Sequence, residues 1–265
     1  MGHSLKPFRL LLFDLDGTVY LGDRLLPGAA MLLTKLAAAG FTYAFLTNNS
    51  SIGPDDYRRK LRRLGLEVPR RSIITSAEAS ILMLQHHNIR PDRVFVLGTE
   101  RLKRYLARYG ISQPRTNAQA VLVGFDTELT YEKLDHACRL VRRGATLFAT
   151  HPDINCPMPQ GPIPDAGSLL AAIRASTGIG PKDVAGKPNR WVIKLAERNF
   201  GVKRSEMLMI GDRLNTDIRM AKRFGLGSVL VAGSNGPISG RYTPDLVVGS
   251  LAELVRHPWF SCVRQ

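Results

Sequence analysis

The stretch LLLFDLDGTVYLG, Leu10 to Gly22, runs four apolar residues straight into two acids, Asp14 and Asp16, and then a Gly-Thr turn. A short, unbroken apolar run closed by a turn signal predicts a fully buried strand of the kind found in parallel sheets. Two carboxylates spaced i and i+2 repel each other. At a strand end they read either as an Asp-Gly turn bonded to its own backbone or as part of a site. The C-terminal end of a strand is where open α/β sheets hold their ligands, and the intervening Leu15 can turn back into the core.

Outward from this strand, apolar runs alternate with amphipathic helical patterns. A helix over 28–39 leads to strand FTYAFLT and a helix over 54–64. Next come a helix over 77–87, strand RVFVLG, a helix over 100–109, strand AVLVGF, a helix over 131–143 and strand ATLFAT. A Pro-rich loop, HPDINCPMPQGPIPDAG, precedes a helix over 168–176 whose Leu169, Leu170 and Ile173 form one apolar stripe, and the segment TGIGPKDVAGKP reads as a hinge. Helix 190–199, strand MLMIGD, helix 215–224 and strand GSVLV then return to the opening style. The alternation predicts an α/β fold with a parallel sheet.

A chain of 265 residues can form one large domain or two modest ones. Its 44% apolar and 22% charged composition is that of an ordered globular protein. The cysteines, Cys138, Cys156 and Cys262, are odd in number and far apart, which argues against a disulfide framework or zinc cluster and fits a reducing, cytoplasmic setting. No apolar run approaches the ~20 residues that span a bilayer. Asp14 and Asp16 interrupt the N-terminal run, so it is not read as a signal sequence, and Lys6 stands where myristoylation needs Ser or Thr.

Lys and Arg number 37 against 22 Asp and Glu, a formal charge of +15. Much of the excess lies in RRKLRRLGLEVPRR (58–71) and CRLVRRG (138–144), where Leu61, Leu64, Leu140 and Val141 interrupt what read as solvated basic helix faces. Such faces attract anionic substrates. Nucleic acid or another polyanion stays open as a partner, with Tyr57 as the aromatic residue beside the first cluster.

Further polar segments follow predicted elements. LTNNSS (46–51) brings hydroxyl and amide donors suited to phosphate oxygens, or a helix-capping loop. GKP (186–188) sets a cation after a loop, and IGDRLNTDI (210–218) places Asp212 and Asp217 at a strand-to-helix turn.

In this order DLDGTVYLG, TNNSS, GFDTELTYEKL, ATHPD, DAGSLLAAI, GKP and GDRLNTDI resemble the motifs of the haloacid dehalogenase (HAD) superfamily. More narrowly, they are similar to its type IIA, NagD-like and p-nitrophenylphosphatase-like phosphatases, from Leu11 to about Asp245. The resemblance implies a doubly wound, parallel-sheet, Rossmann-like core of residues 1–78 and 181–265, with an inserted α/β cap of the C2 type over 79–180. Hinges would lie near Thr75–Ala77 and Gly178–Pro181.

It also implies a Mg²⁺-dependent phosphatase of small organic phosphate monoesters that works through an aspartyl-phosphate. Asp14 is then the nucleophile, and Asp16 the acid that protonates the leaving group and the base that activates water. The Asp14 carboxylate, the Asp16 carbonyl and Asp212 hold Mg²⁺, with Asp217 orienting them. Thr47, Asn48, Asn49 and Lys187 position the phosphoryl group. Asn215 stands in GDRLNTDI at a position that varies within the branch, and it is not read as a lost ligand.

Within the cap, the loop over 151–164 is the expected substrate-reading element, with Asp153, Asn155 and Cys156 as candidates. His151 reads as a structural histidine satisfied by backbone, or else as a phosphate-side contact; His86 and His87 read as solvated, and Asp245 as structural. Cys156 has no neighbouring base to make it a nucleophile. The implied partners are a small phosphorylated metabolite and a second copy of the chain paired through the cap. The open alternatives are a nucleotide or polynucleotide phosphatase, and a polyanion-binding protein with a vestigial core. Asp14, Asp16, Lys187 and Asp212 all being present argues against the vestigial reading, and a large cap argues against polymeric substrates.

Overall fold

The structure, a computed structural model, describes residues 8–158, 160–233 and 241–263, with side chains through Phe260. In chain order its principal strands are β1 (Leu10–Phe13), β2 (Thr42–Thr47), β3 (Ile73–Thr75), β4 (Val94–Leu97), β5 (Ala120–Val123), β6 (Thr146–Ala149), β7 (Asp183–Val184), β8 (Met207–Gly211), β9 (Gly227–Val231) and β10 (Leu246–Val248). The chain divides into two compact units: Met1–Leu46 with Arg58–Ile74 and Ala196–Gln265, and Thr47–Tyr57 with Thr75–Leu195.

The first unit is organised by a six-stranded sheet in the order β10-β9-β8-β1-β2-β3. β1 pairs in parallel with β8 and with β2, β8 with β9, and β9 with β10. All four residues of β1 are fully buried, which is why its sequence is a run and not an alternation: both faces of the strand are covered. The helix Ala29–Ala38 buries Ala29, Leu32, Leu33 and Leu36, the i, i+3, i+4, i+7 stripe of a helix lying on a sheet. From β1 the chain builds outward through β2 and β3 on one side and later through β8, β9 and β10 on the other. The β1/β8 boundary is therefore the topological switch point, where ligands of open α/β sheets bind.

One element departs from its expected form. The helix expected over 215–224 begins as a single π-helical turn, Leu214–Ile218, and becomes α-helical over Arg219–Phe224. The amides of Asp217 and Ile218 both reach the Arg213 carbonyl, at 3.0 and 3.3 Å. The wider turn buries Thr216, Asp217 and Ile218 together, a local distortion frequent at functional sites.

The second unit holds a four-stranded parallel sheet, β7-β6-β5-β4, covered by helices Tyr131–Arg142 and Ala166–Thr177. The expected stripe Leu169, Leu170 and Ile173 is buried in one cluster with Val121, Val123, Leu140 and Leu147. The stretch GFDTELTYEKL is explained by capping: Thr130 Oγ1 accepts the Lys133 amide at 3.2 Å, and Lys133 Nζ reaches the buried Asp126 carboxylate at 3.2 Å.

The segment read as a hinge contributes the edge strand β7, and the Pro-rich loop contains a small hairpin, Asn155–Cys156 with Ile163–Pro164. His87 is not solvated as expected. Its Nε2 lies 3.0 Å from Asp183 Oδ2, its ring packs on Phe148, and the same carboxylate oxygen accepts the Trp191 indole N–H at 3.0 Å. Periodicity could not show this, because the partner that draws the ring inward is nearly a hundred residues away.

Arg58, Arg59, Arg62 and Arg63 are exposed while Leu61 is buried, the solvated basic face the sequence suggests. Tyr57, in contrast, is buried with its hydroxyl donating to the Asn49 carbonyl at 3.0 Å, so it is no stacking platform for a base. Asp245 is structural: its Oδ2 accepts from the Ser228 amide and hydroxyl at 2.9 and 2.7 Å. Cys138 and Cys156 are buried and in no disulfide, and among the described residues no helix is long and apolar enough to cross a membrane.

Candidate active site

Asp14 directly follows β1, and its amide continues the ladder to the Ile210 carbonyl at 2.9 Å, which fixes the direction in which the chain leaves the sheet. Asp212 follows β8 in the same way. A ligand atom from each of Asp14, Asp212 and Asp217 lies within 4.8 Å of the others, Asp14 and Asp217 being buried. Three carboxylates this close repel strongly unless a cation neutralises them. Their donors are all hard oxygens, the set a hard divalent cation prefers, so these residues fit a metal centre.

Gly17 explains the glycine of the opening motif. Its φ is +96°, and a Cβ there would stand 2.5 Å from Asp212 Oδ2, so a side chain would push that carboxylate out of the cluster. Beside it, the Thr18 hydroxyl donates to Asp212 Oδ1 at 3.2 Å. Asp217 is held by the Arg213 amide, which donates to its Oδ2 at 3.1 Å.

The Asp16 side chain stands outside that trio and has different surroundings. Its Oδ2 accepts from the Tyr20 hydroxyl at 3.3 Å, and the Lys60 ammonium sits 3.9 Å from the centroid of the Tyr20 ring. Burial, reinforced by the Asp14 charge, raises the Asp16 pKa from 3.8 to about 6, against the opposing pull of Lys60, the Tyr20 hydrogen bond and Arg213. A carboxyl group tuned this way can both give and take a proton near neutrality. Motif order does not single out Tyr20, Lys60 or Thr18 for a place beside these acids. Thr18 and Tyr20 do stand inside DLDGTVYLG, but Lys60 is brought to the acids by folding alone.

The second unit assembles the other expected residues. Asn48 is buried at the end of β2, and both ends of its side-chain amide are used: Oδ1 accepts the Lys187 amide at 2.8 Å, and Nδ2 donates to the Lys187 carbonyl at 3.0 Å. The Ser76 hydroxyl donates to the Asn48 carbonyl. Gly186 makes this pairing sterically feasible, since a Cβ at that position would meet Asn48 Oδ1 at 2.5 Å. Thr47 Oγ1 accepts the Asn49 amide at 3.2 Å, and Asn49 Oδ1 accepts from the Ser51 amide and hydroxyl at 3.0 and 2.7 Å. Lys187 is only 2% exposed, an unusual burial for a cation and one that marks it as more than a surface lysine.

The cap candidates divide. Asp153 meets Asn48, its two carboxylate oxygens each 3.2 Å from Nδ2. Cys156 is buried with its Sγ 4.0 Å from Asn49 Nδ2, whereas Asn155 is exposed on the hairpin. His151 is fully buried, and side chains satisfy it where backbone was expected: Nδ1 lies 2.8 Å from Thr150 Oγ1 and Nε2 lies 2.8 Å from Asp165 Oδ1.

The chain is similar to known proteins over most of its length. Residues 11–112 match a model described as haloacid dehalogenase-like hydrolase, and residues 184–254 match a second one described as HAD-hydrolase-like. An acid sugar phosphatase of Staphylococcus aureus is 31% identical over 228 residues, 86% of this chain and 87% of that one. A 4-nitrophenylphosphatase from Thermotoga maritima superposes with a TM-score of 0.89 at 43% identity, over 97% of this chain and 99% of the other. NagD from E. coli K-12 gives 0.82 at 27% identity, over 93% and 98%. With acids at the switch point of a parallel sheet, both family models in register and relatives matched over nearly their whole length, the chain belongs to the haloacid dehalogenase-like hydrolases and is a phosphatase of their NagD-like branch.

Proposed function

We propose that the protein is a Mg²⁺-dependent phosphatase of small organic phosphate monoesters, of the sugar phosphate, glycerol phosphate, phosphoglycolate or p-nitrophenyl phosphate type. The observation that carries this reading is the trio Asp14, Asp212 and Asp217, set beside an Asp16 whose pKa lies near 6. An Asp14 carboxylate oxygen attacks phosphorus, and the bond to the leaving oxygen breaks as Asp16 gives that oxygen its proton. Water then attacks the aspartyl-phosphate, passes a proton to the Asp16 carboxylate, and Asp14 departs as a free carboxylate. The Asp14 and Asp212 carboxylates and the Asp16 carbonyl would hold Mg²⁺, with Asp217 orienting them. When bound, the ion neutralises charge on the phosphoryl oxygens. Thr47, Asn48, Asn49 and Lys187 bind and orient the phosphoryl group.

In this reading residues 1–78 and 181–265 act as the catalytic core and 79–180 as the cap that selects the leaving group. The protein works on metabolites of the cytoplasm and pairs with a second copy through the cap. The small substrate class is supported by the relatives, whose names specify an acid sugar phosphatase and a 4-nitrophenylphosphatase. Phosphate release across a panel of metabolites, with p-nitrophenyl phosphate as the reference, tests it. The expected result is Mg²⁺-supported release that EDTA stops and excess Mg²⁺ restores. Release undiminished by EDTA would overturn the metal assignment, and activity confined to nucleic-acid ends would overturn the substrate class.

The Asp217→Asn variant keeps the size of the side chain but loses its charge beside the other two acids. The Mg²⁺ concentration for half-maximal activity should then rise roughly 10- to 100-fold, the usual cost of losing a group that orients metal ligands. An unchanged requirement would remove Asp217 from the centre.

A further inference from the structure

We infer that Asp153 is a positioning residue for phosphoryl transfer, acting through Asn48 on Lys187, and that it does not read the leaving group. The inference rests on the reading of Asn48 and Lys187 as phosphate-binding residues. Asn48 Nδ2 is shared between the Lys187 carbonyl at 3.0 Å and both Asp153 oxygens at 3.2 Å, while Asn48 Oδ1 receives the Lys187 amide at 2.8 Å. The carboxylate thereby fixes which way round the amide lies. With Nδ2 toward Asp153, Oδ1 must face the Lys187 N–H; the flipped amide would set its oxygen against the carboxylate and its NH₂ against the N–H.

Asp153 is itself tied down. Its carbonyl accepts the Gly167 amide at 2.8 Å, and the neighbouring Ile154 carbonyl accepts both the Asp165 amide at 2.8 Å and the Ser168 hydroxyl at 2.7 Å. One turn back, His151 Nε2 meets Asp165 Oδ1 at 2.8 Å, and that same oxygen accepts the Ala166 amide. His151 Nδ1 reaches Thr150 Oγ1, which donates to Ser50 Oγ at 2.9 Å, two residues beyond Asn48. ATHPD and DAGSLLAAI are thus joined into one polar scaffold, buried at Thr150, His151 and Asp165 and half-buried at Asp153, that ends on TNNSS and GKP. A hydrogen-bonded network of this kind stiffens the groups it joins, and holding a reacting group to within a fraction of an ångström is what makes such rigidity matter to rate.

The test compares Asp153→Ala, Asp153→Asn and Asn48→Ala with wild type on p-nitrophenyl phosphate and glycerol phosphate, with inorganic phosphate as a competitive inhibitor. Asp153→Ala should lower kcat/KM by roughly 10- to 100-fold, the cost of a misplacement of about 1 Å. It should do so by the same factor on both substrates and weaken inhibition by inorganic phosphate. Asp153→Asn, which keeps an acceptor for Nδ2, should recover most of the loss, and the Asn48→Ala/Asp153→Ala double variant should be no slower than Asn48→Ala. Losses that differ between the two leaving groups, or that add in the double variant, would overturn the inference. So would an Asp153→Ala loss accompanied by unfolding that Asp153→Asn leaves unrepaired. Full activity in Asn48→Ala and Lys187→Ala would instead refute the phosphate-binding reading beneath it, a distinct result from a silent Asp153 beside inactive Asn48 and Lys187 variants.

Discussion

Replacing Asp14 by Asn should lower kcat by about four orders of magnitude or more, the scale seen when a covalent catalyst loses its nucleophile. The amide has nearly the shape of the carboxylate but no anionic oxygen to attack phosphorus. Acid-quenched wild-type enzyme, mixed with substrate labelled at phosphorus, should carry label on protein, and the variant should carry none. Misfolding is not expected to account for the loss. Asp14 stands within reach of Asp212 and Asp217, so removing its charge relieves repulsion in the metal-free protein, whose Tm should hold or rise. Turnover within tenfold of wild type, or label retained on the variant, would refute Asp14 as the nucleophile.

The part of this centre that lies in one short stretch was legible in the sequence because strand, turn and chemistry coincide there. Leu10–Phe13 has no alternation, so both faces of the strand are covered, and an acid directly after it has to stand at the sheet's end. Asp212, after a second apolar run, follows the same logic. What the sequence could not display were partners brought together by long loops: Lys60 beside Tyr20, Thr18 on Asp212, and Asp153 on Asn48. The last of these joins segments 105 residues apart: the Asp153 carboxylate, in the Pro-rich loop expected to read a leaving group, meets the amide of TNNSS. Single-strand patterns also hid β7, only two residues long and surrounded by Gly and Pro, whose edge pairing to β6 depends on a strand that lies far back in the chain.

The proton-transfer role of Asp16 separates substrates by leaving group. Asp16→Asn should slow hydrolysis of an alkyl phosphate by roughly 10²- to 10⁴-fold, the range for loss of a general acid or base. p-Nitrophenolate departs without needing that proton, so formation of the aspartyl-phosphate from p-nitrophenyl phosphate should suffer much less. Its breakdown still needs a base for water, so the variant should release a burst of p-nitrophenolate equal to the enzyme and then stall.

The pH dependence has a definite sign in both activity and stability. Burial holds the Asp16 proton to higher pH than an ordinary carboxyl group keeps it, and the acid form is the one that protonates the leaving group, so wild-type kcat/KM on alkyl phosphates should decline as pH rises. For stability, the folded pKa lies above the unfolded one. The folded state therefore binds the proton more tightly, and between pH 3.8 and about 6 stability is lost as pH increases. At neutral pH the charged Asp16 weakens the metal-free fold by up to about 3 kcal/mol, the equivalent of that shift at 1.36 kcal/mol per unit. Asp16→Asn should accordingly raise the Tm of the metal-free protein at pH 7 to 8, with the gain shrinking as pH falls through about 6 and gone below pH 3.8. Equal losses on both substrates with no burst would show that Asp16 serves structure and not proton transfer. A Tm gain that does not change with pH would show that the Asp16 charge is not what weakens the fold.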